Sequence, residues 1–309
     1  MPGERGQRRA AAARCPHHQD AAVPAHRAAG DPLRRKAVIR TSLRYHRPVT
    51  PEETSAILTE HSGDVVVLGG GTMLLPMMNR AEVNAGHIVD LRGLGLDKIT
   101  VAGDNVRVGA MATYNDLLCS DLIAREVPLL RRMASGITGG NQLRNLATAG
   151  GSACYGNPSS DVPAVLVALE ATMCLHSPAG ERRVPSAEFF VDAFRTAVGA
   201  GEFLMSIEVP RRVIAAGYHK LKLCEGSWPI VTAAVVRHGG RAMATIGAAT
   251  VTPRRFELTS YLDADKDTVD EYVRDNVGDP WSDVLADGNY RKDVSGAVVR
   301  RAVAELQEG

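Results

Sequence analysis

The chain reads as an α+β protein in three consecutive parts, and three observations lead there. A continuous apolar run, Val65-Val66-Val67-Leu68, opens directly into Gly69-Gly70-Gly71, as a buried strand feeding a turn does. A long middle stretch mixes helical and strand-like segments around a second glycine turn, Thr148-Ala149-Gly150-Gly151. From Gly217 onward, apolar strand runs joined by short turns give way to two polar helices. At 309 residues and 45% hydrophobic content, the chain can bury a large core.

Residues 1–37 are rich in Arg and Ala and lack apolar periodicity. Arg8-Arg9 resembles the start of a twin-arginine signal, but Ala10-Ala11-Ala12-Ala13 is cut by Arg14 and polar residues, so no signal core forms. A disordered extension or a misassigned start is expected there, with a partner-docking arm as the lesser alternative. The first part is expected over 38–95. Thr50-Pro51-Glu52-Glu53 is a capping box with proline at the first helical position, and Gly63 is placed to end that helix. Strand 65–68, a short helix around 73–79 and strand 87–90 follow.

The second part is expected over 96–212. Val101–Val106 signals a hairpin, and helices are expected near 114–118 and 121–136, with Leu129, Leu130 and Met133 on one face. Leu117 and Leu118 are core candidates. A helix starts near Asp161, and strands are expected at 171–177 and 203–209, with a turn at Pro178-Ala179-Gly180. The third part, 213–309, carries strands at 217–223, 230–237 and 241–250, then helices near 267–276 and 290–307.

Composition excludes several functions. The net charge of +1 and aromatic content of 5% give neither the basic stripe nor the stacking platforms of a nucleic-acid binder. No apolar stretch approaches the roughly 20 residues of a membrane helix. Cys15, Cys119, Cys154, Cys174 and Cys224 are scattered and odd in number, which argues against a disulfide framework, favours a reducing compartment and offers no cluster for an iron–sulfur centre. The nine histidines show no metal-ligand spacing, and His17-His18 reads as a solvated pair. A cytoplasmic location is the expectation.

The two glycine turns carry the chemistry. Without a Cβ, successive amides can approach an anion closely, and two such turns can clamp a diphosphate from both sides. Neither turn is a Walker loop, since no Gly-Lys pair occurs, and Leu74 breaks the G-x-G-x-x-G dinucleotide fingerprint. Each turn alone also reads as an ordinary tight turn.

Gly69-Gly70-Gly71-Thr72-Met73-Leu74-Leu75-Pro76-Met77-Met78 resembles the first flavin loop of the FAD-binding subunits of molybdenum hydroxylases, the family of the carbon monoxide dehydrogenase medium chain and the xanthine dehydrogenase flavin domain. Leu143–Ser152 with Asn157-Pro158-Ser159-Ser160-Asp161, then Glu202–Pro210, then Tyr218-His219-Lys220-Leu221-Lys222, resemble later blocks of the same family in the same order. Together the blocks span roughly residues 43 to 305. Gly69 stands where alanine is usual, and Met73 replaces a common polar residue; neither change removes a backbone donor.

This resemblance implies a vanillyl-alcohol-oxidase-like (PCMH-type) FAD-binding fold of two subdomains plus the C-terminal part. It implies amide and hydroxyl contacts to FAD from Gly69, Gly70, Gly71, Thr72 and Met73, and from Thr148, Ala149, Gly150, Gly151 and Ser152. Thr138 and Gly139 fall at a further contact just before the second loop. Asp161 matches a ribose ligand, though it also reads as a helix cap. Leu204 matches a backbone contact near the flavin ring and equally suits core packing. Lys220 matches a cation near the flavin N1/C2 edge, although Lys-x-Lys on a strand also describes a solvated face, and Tyr218 is placed to pack beside the ring. No catalytic acid or base and no metal site is expected in this chain. The implied partners are a molybdopterin-containing large subunit and a [2Fe-2S] small subunit in a dimer of heterotrimers, with FAD passing electrons to an external acceptor. A self-contained FAD-dependent reductase of the same fold, like the enolpyruvyl-glucosamine reductases, and a scaffold subunit without cofactor stay open.

Overall fold

Three short parallel strands carry the first glycine turn. In the computed structural model, residues 42–211 and 215–308 are described; the expectations for residues 1–37 lie outside them. β1 (Arg44–His46), α1 (Pro51–Glu60), β2 (Val65–Leu68), α2 (Leu74–Asn79) and β3 (His87–Asp90) form a unit with strand order β1-β3-β2. The two helices supply the crossovers that parallel pairing demands. Thr50 Oγ1 accepts from the Glu53 amide at 3.2 Å, and Glu53 returns its carboxylate to the Val49 amide at 3.0 Å, one residue earlier than in the usual box. Gly63 does not end α1. The helix stops at Glu60 with His61 as its cap, and Gly63 then takes a left-handed φ of 89° in the turn before β2.

The middle of the chain is built on an antiparallel sheet. Its elements are β4 (Ile99–Ala102), β5 (Asn105–Gly109), α3 (Tyr114–Cys119), α4 (Asp121–Glu126), α5 (Pro128–Ser135), α6 (Gly140–Arg144), α7 (Ala149–Tyr155), α8 (Asp161–Ala168), β6 (Thr172–Ser177), β7 (Gly180–Pro185), α9 (Ser186–Phe189), β8 (Phe190–Asp192), β9 (Arg195–Thr196) and β10 (Phe203–Pro210). The sheet order is β4-β5-β10-β6-β7. The helix expected over 121–136 is two helices, because Pro128 lacks an amide proton and Val127 turns out of the helical region at φ −142°. Leu129, Leu130 and Met133 are buried as their spacing requires. The polar edge strand β7 buries only Val184, which is why its sequence does not read as a strand. Glu208 of β10, buried at 3% exposure, binds Arg107 of β5 at 2.7 Å and Arg183 of β7, tying three strands together.

β11 (Ala215–Lys222), β12 (Pro229–His238), β13 (Arg241–Gly247), β14 (Arg254–Glu257), α10 (Lys266–Val277), α11 (Gly288–Ala304) and β15 (Gln307–Glu308) form the last part. The antiparallel order is β14-β13-β12-β11-β15. Val231, Ala233 and Val235 face the helices through Val269, Val273, Val298 and Val299, while Ala234 and Val236 join the core of the middle part. Burial on both faces explains the unbroken apolar run of β12. Fully buried Arg291 donates to the carbonyls of Ile230 at 2.6 Å and Ala248 at 2.8 Å and pairs with Asp283.

Among the described residues no helix is long and apolar enough to cross a membrane. Cys154, Cys174 and Cys224 are free thiols, whereas Cys119 is disulfide-bonded, so the scattered cysteine spacing does not leave every thiol unpaired.

Candidate functional site

β2 ends at Leu68, and the backbone then runs through Gly69, Gly70, Gly71, Thr72 and Met73 before α2 begins. Gly71 has a φ of 74°, a conformation that suits glycine. Among the described residues, nothing accepts a hydrogen bond from the amides of Gly69, Gly70, Gly71, Thr72 or Met73. All five residues are half-buried. Backbone amides left without a partner away from bulk water are costly, and a concave row of them is an anion site.

The second turn lies directly against the first. A Cβ built on Gly69 would sit 3.1 Å from Thr148 Oγ1 and 3.9 Å from the Gly151 Cα. One built on Gly70 would sit 1.8 Å from the Leu146 carbonyl oxygen, so Gly70 is required by backbone packing between the turns. Gly150 is required likewise: its Cβ would meet the Ala110 carbonyl oxygen at 2.5 Å. Neither Gly70 nor Gly150 has a positive φ.

The amides of the second turn are already engaged, contrary to the expectation that they would serve a phosphate. Ala149 donates to Ala112 O at 2.9 Å, Gly150 to Ala110 O at 3.1 Å and Ser152 to Thr148 O at 3.0 Å. Gly151 donates to Thr148 Oγ1 at 3.0 Å, which makes Thr148 the cap of α7. What this turn can still offer a ligand is the Thr148 and Ser152 hydroxyl protons. Ser152 Oγ itself accepts from Tyr114 at 2.6 Å.

Asp161 is the first residue of α8, and Ser160 is its cap, so the aspartate is not the capping residue. Its Oδ1 accepts from the Tyr218 hydroxyl and from Lys220 Nζ at 2.8 Å. Its Oδ2 accepts nothing from the described residues. Lys220 also donates to Gly136 O at 2.6 Å, and its side chain is only 10% exposed, which removes the solvated-face reading. Burial, followed by the charge of Asp161, raises the Tyr218 phenol well above its usual range, so it stays a donor. Tyr114 is raised too, mainly by burial. Lys220 and Asp161 are thus in direct contact, so the two side chains lie side by side.

Thr138 and Gly139 follow Gly136 by two and three residues in the chain, and Gly139 enters α6 at φ 96°, packed against Leu143. The Leu204 side chain is 3% exposed and belongs to the core, and a register shift follows it in β10. The neighbouring Met205 carbonyl accepts from Ala110 at 2.9 Å, the residue whose own carbonyl holds Gly150. Of the expected residues, Gly69, Gly70, Thr148 and Gly151 lie where the two turns meet, and Asp161, Tyr218 and Lys220 bond to one another. Sequence reasoning did not assign Ala110, Tyr114 or Gly136 to the site, nor the hydrogen bond of Tyr218. Of these, only Tyr218 carries a signal, since it lies two residues before Lys220 and so on the same strand face.

The row of free amides on the first turn, with hydroxyls beside it, fits a diphosphate. Residues 41–212 match the family described as the FAD binding domain in molybdopterin dehydrogenase. The chain is 34% identical over 280 residues to the carbon monoxide dehydrogenase medium chain of Afipia carboxidovorans, covering 86% of this chain and 97% of that one. It is 32% identical over 168 residues to the xanthine dehydrogenase FAD-binding subunit of Escherichia coli O157:H7, covering 54% and 57%. A solved carbon monoxide dehydrogenase from Hydrogenophaga pseudoflava superposes with a TM-score of 0.79 at 30% identity, covering 85% of this chain and 96% of that one. The chain thus belongs to the FAD-binding family of the molybdopterin dehydrogenases, as an oxidoreductase flavoprotein subunit with a PCMH-type fold.

Proposed function

We propose that this chain is the electron-relay subunit of a cytoplasmic, heterotrimeric molybdenum hydroxylase that assembles as a dimer of heterotrimers. Its partners are a molybdopterin-containing large subunit and a small subunit with [2Fe-2S] clusters. FAD supplies the redox centre that takes electrons from those clusters and yields them to an external acceptor. The observation that carries the reading is the row of unpartnered amides at Gly69–Met73, met by Thr148 of the second turn.

Each residue has a separate task. The Gly69, Gly70, Gly71, Thr72 and Met73 amides hold the diphosphate, and the Thr148 and Ser152 hydroxyls complete its shell. Ala149, Gly150 and Gly151 shape that shell through their bonds to the fold. Asp161 offers Oδ2 to a ribose hydroxyl while Lys220 and Tyr218 fix the carboxylate through Oδ1. Lys220 therefore acts through Asp161. Thr138, Gly139 and the backbone at Leu204 line the same cavity. Residues 38–95 and 96–212 are the two halves of the cradle, and 213–309 closes over it.

Stopped-flow spectroscopy tests the relay. The isolated chain should bind FAD, and an organic hydroxylase substrate should leave its flavin band unchanged. The same substrate should bleach the band once all three chain types are present. Bleaching in the isolated chain would reject the relay and favour a self-contained flavin reductase.

A further inference from the structure

Three histidines from separate elements converge beside the first sheet. His46 ends β1, His61 follows α1 and His87 opens β3. β3 pairs His87 with Val65 and Asp90 with Leu68, while His46 of β1 pairs with Val89, so the His46 and His87 side chains meet diagonally across the β1–β3 pair. One ligand nitrogen from each histidine lies within 4.8 Å of those of the other two. His46 Nε2 is 2.9 Å from His87 Nδ1, and the His61 ring stacks on His87 with centroids 3.6 Å apart. All three are half-buried, within reach of an ion from solvent.

Burial, then the neighbouring His61 and His46, holds the His87 imidazole below its ordinary range; Arg44 acts in the same direction and Asp64 against it. Asp64 is engaged with the Gly86 amide at 2.7 Å. Glu60 Oε1 lies 3.9 Å from His61 Nε2. Three imidazoles gathered this closely present ring nitrogens that one histidine–histidine hydrogen bond cannot satisfy.

We propose that His46, His61 and His87 bind one divalent transition-metal ion of the Zn²⁺ class, with water or Glu60 in the fourth position. Imidazole donors suit Zn²⁺, Ni²⁺ and Cu²⁺, whereas Mg²⁺ and Ca²⁺ seek oxygen. A tetrahedral ion with Zn–N bonds of about 2.0–2.1 Å brings its ligand nitrogens to about 3.3 Å apart, within reach of side-chain rotation from the present spacing. The ion fastens β1 and the turn after α1 to β3. Its role is structural. The three residues come from separate elements, so no local histidine spacing announces them.

The test uses the FAD-loaded full chain, stripped of metal and titrated with Zn²⁺ alone. One Zn²⁺ per chain should survive desalting and raise the melting temperature while the flavin spectrum stays unchanged. Co²⁺ should give a ligand-field band to the red of the flavin absorption. Groups behind metal ligands are already worth about 10–100-fold in affinity, so losing a ligand in His87→Ala or His61→Gln should cost at least about 100-fold. Retained FAD reports that each variant is folded, and the position of His61→Gln in a turn outside the sheet guards against misfolding of the strand variant. The triple variant His17→Ala/His18→Ala/His26→Ala should bind as the natural chain does. Absence of binding in the natural chain, equal affinity in the folded His61→Gln variant, or loss in the triple variant overturns the site.

Discussion

At Gly69–Met73 five successive amides find no acceptor among the described residues, whereas at Ala149–Ser152 four successive amides are bound to Ala112, Ala110 and Thr148. Both turns place a glycine where a Cβ would strike a carbonyl oxygen, Leu146 for Gly70 and Ala110 for Gly150. The glycines therefore serve close packing in both turns, and only the amide directions divide the roles. The first turn leaves its donors without a partner among the described residues, and the second commits its own to the fold. A glycine-rich turn thus does not declare a phosphate contact; what decides is whether its amides have partners once the chain is folded.

The largest test falls on the polar groups already committed to the fold. Asp161→Ala leaves Lys220 and the Tyr218 hydroxyl without their acceptor in a nearly closed site. Breaking a buried pair in this way costs about 3–5 kcal/mol. Urea denaturation of the flavin-free protein should show that loss, and Asp161→Asn, which keeps an acceptor at Oδ1, should recover part of it. Unchanged flavin-free stability with weakened FAD binding would place Asp161 wholly on the cofactor side.

Glycine substitutions sharpen the contrast at smaller cost. Gly150→Ala forces a Cβ onto the backbone of Ala110, and overpacking of this kind costs about 1–3 kcal/mol. Gly69→Ala crowds the Thr148 hydroxyl at 3.1 Å and otherwise makes ordinary contacts at 3.8–3.9 Å, so the flavin-free protein should change by less than about 1 kcal/mol. Paired melting curves decide it. Equal destabilisation by the two substitutions would mean that the turns share one structural role.

The smallest effect is a pH limb. Arg183, then Arg107, holds the Glu208 carboxyl below its usual range against the opposing effect of burial. A carboxylate depressed in the folded state contributes stability that is full above its unfolded pKa of about 4.3 and is lost as pH falls through the lower folded value. Acid titration of the melting temperature should show this loss, and Glu208→Gln should flatten it. Since β5 and β10 lead to Ala110 and Met205, FAD release should accompany the acid limb. Release well above it would show that the second turn does not depend on this sheet.

Several elements were legible because their signals are local. Strands 65–68 and 87–90 follow from apolar runs bounded by turn residues, and α1 from the capping box at Thr50. Pro128 carried the break between α4 and α5, although helical periodicity alone favoured one long helix. β7 and β14 were missed because each buries a single residue, so neither shows the alternation of a half-buried strand. Helix α7 was hidden by its two glycines: its first turn is held by the Thr148 cap and by Ala110 and Ala112, not by propensity.

The sequence by itself determined the two turns and, through four blocks of resemblance, the FAD-binding family. These rest on contiguous residues, whose chemistry is visible in a single strand, turn or helix start. Only the tertiary structure decided which amides remain free, that Asp161 and Lys220 are partners, and that His46, His61 and His87 meet. Each of those depends on groups far apart in the chain, from 15 residues between the first two histidines to 59 between Asp161 and Lys220. A hydrogen-bond partner is a property of folded space, and no local pattern encodes it.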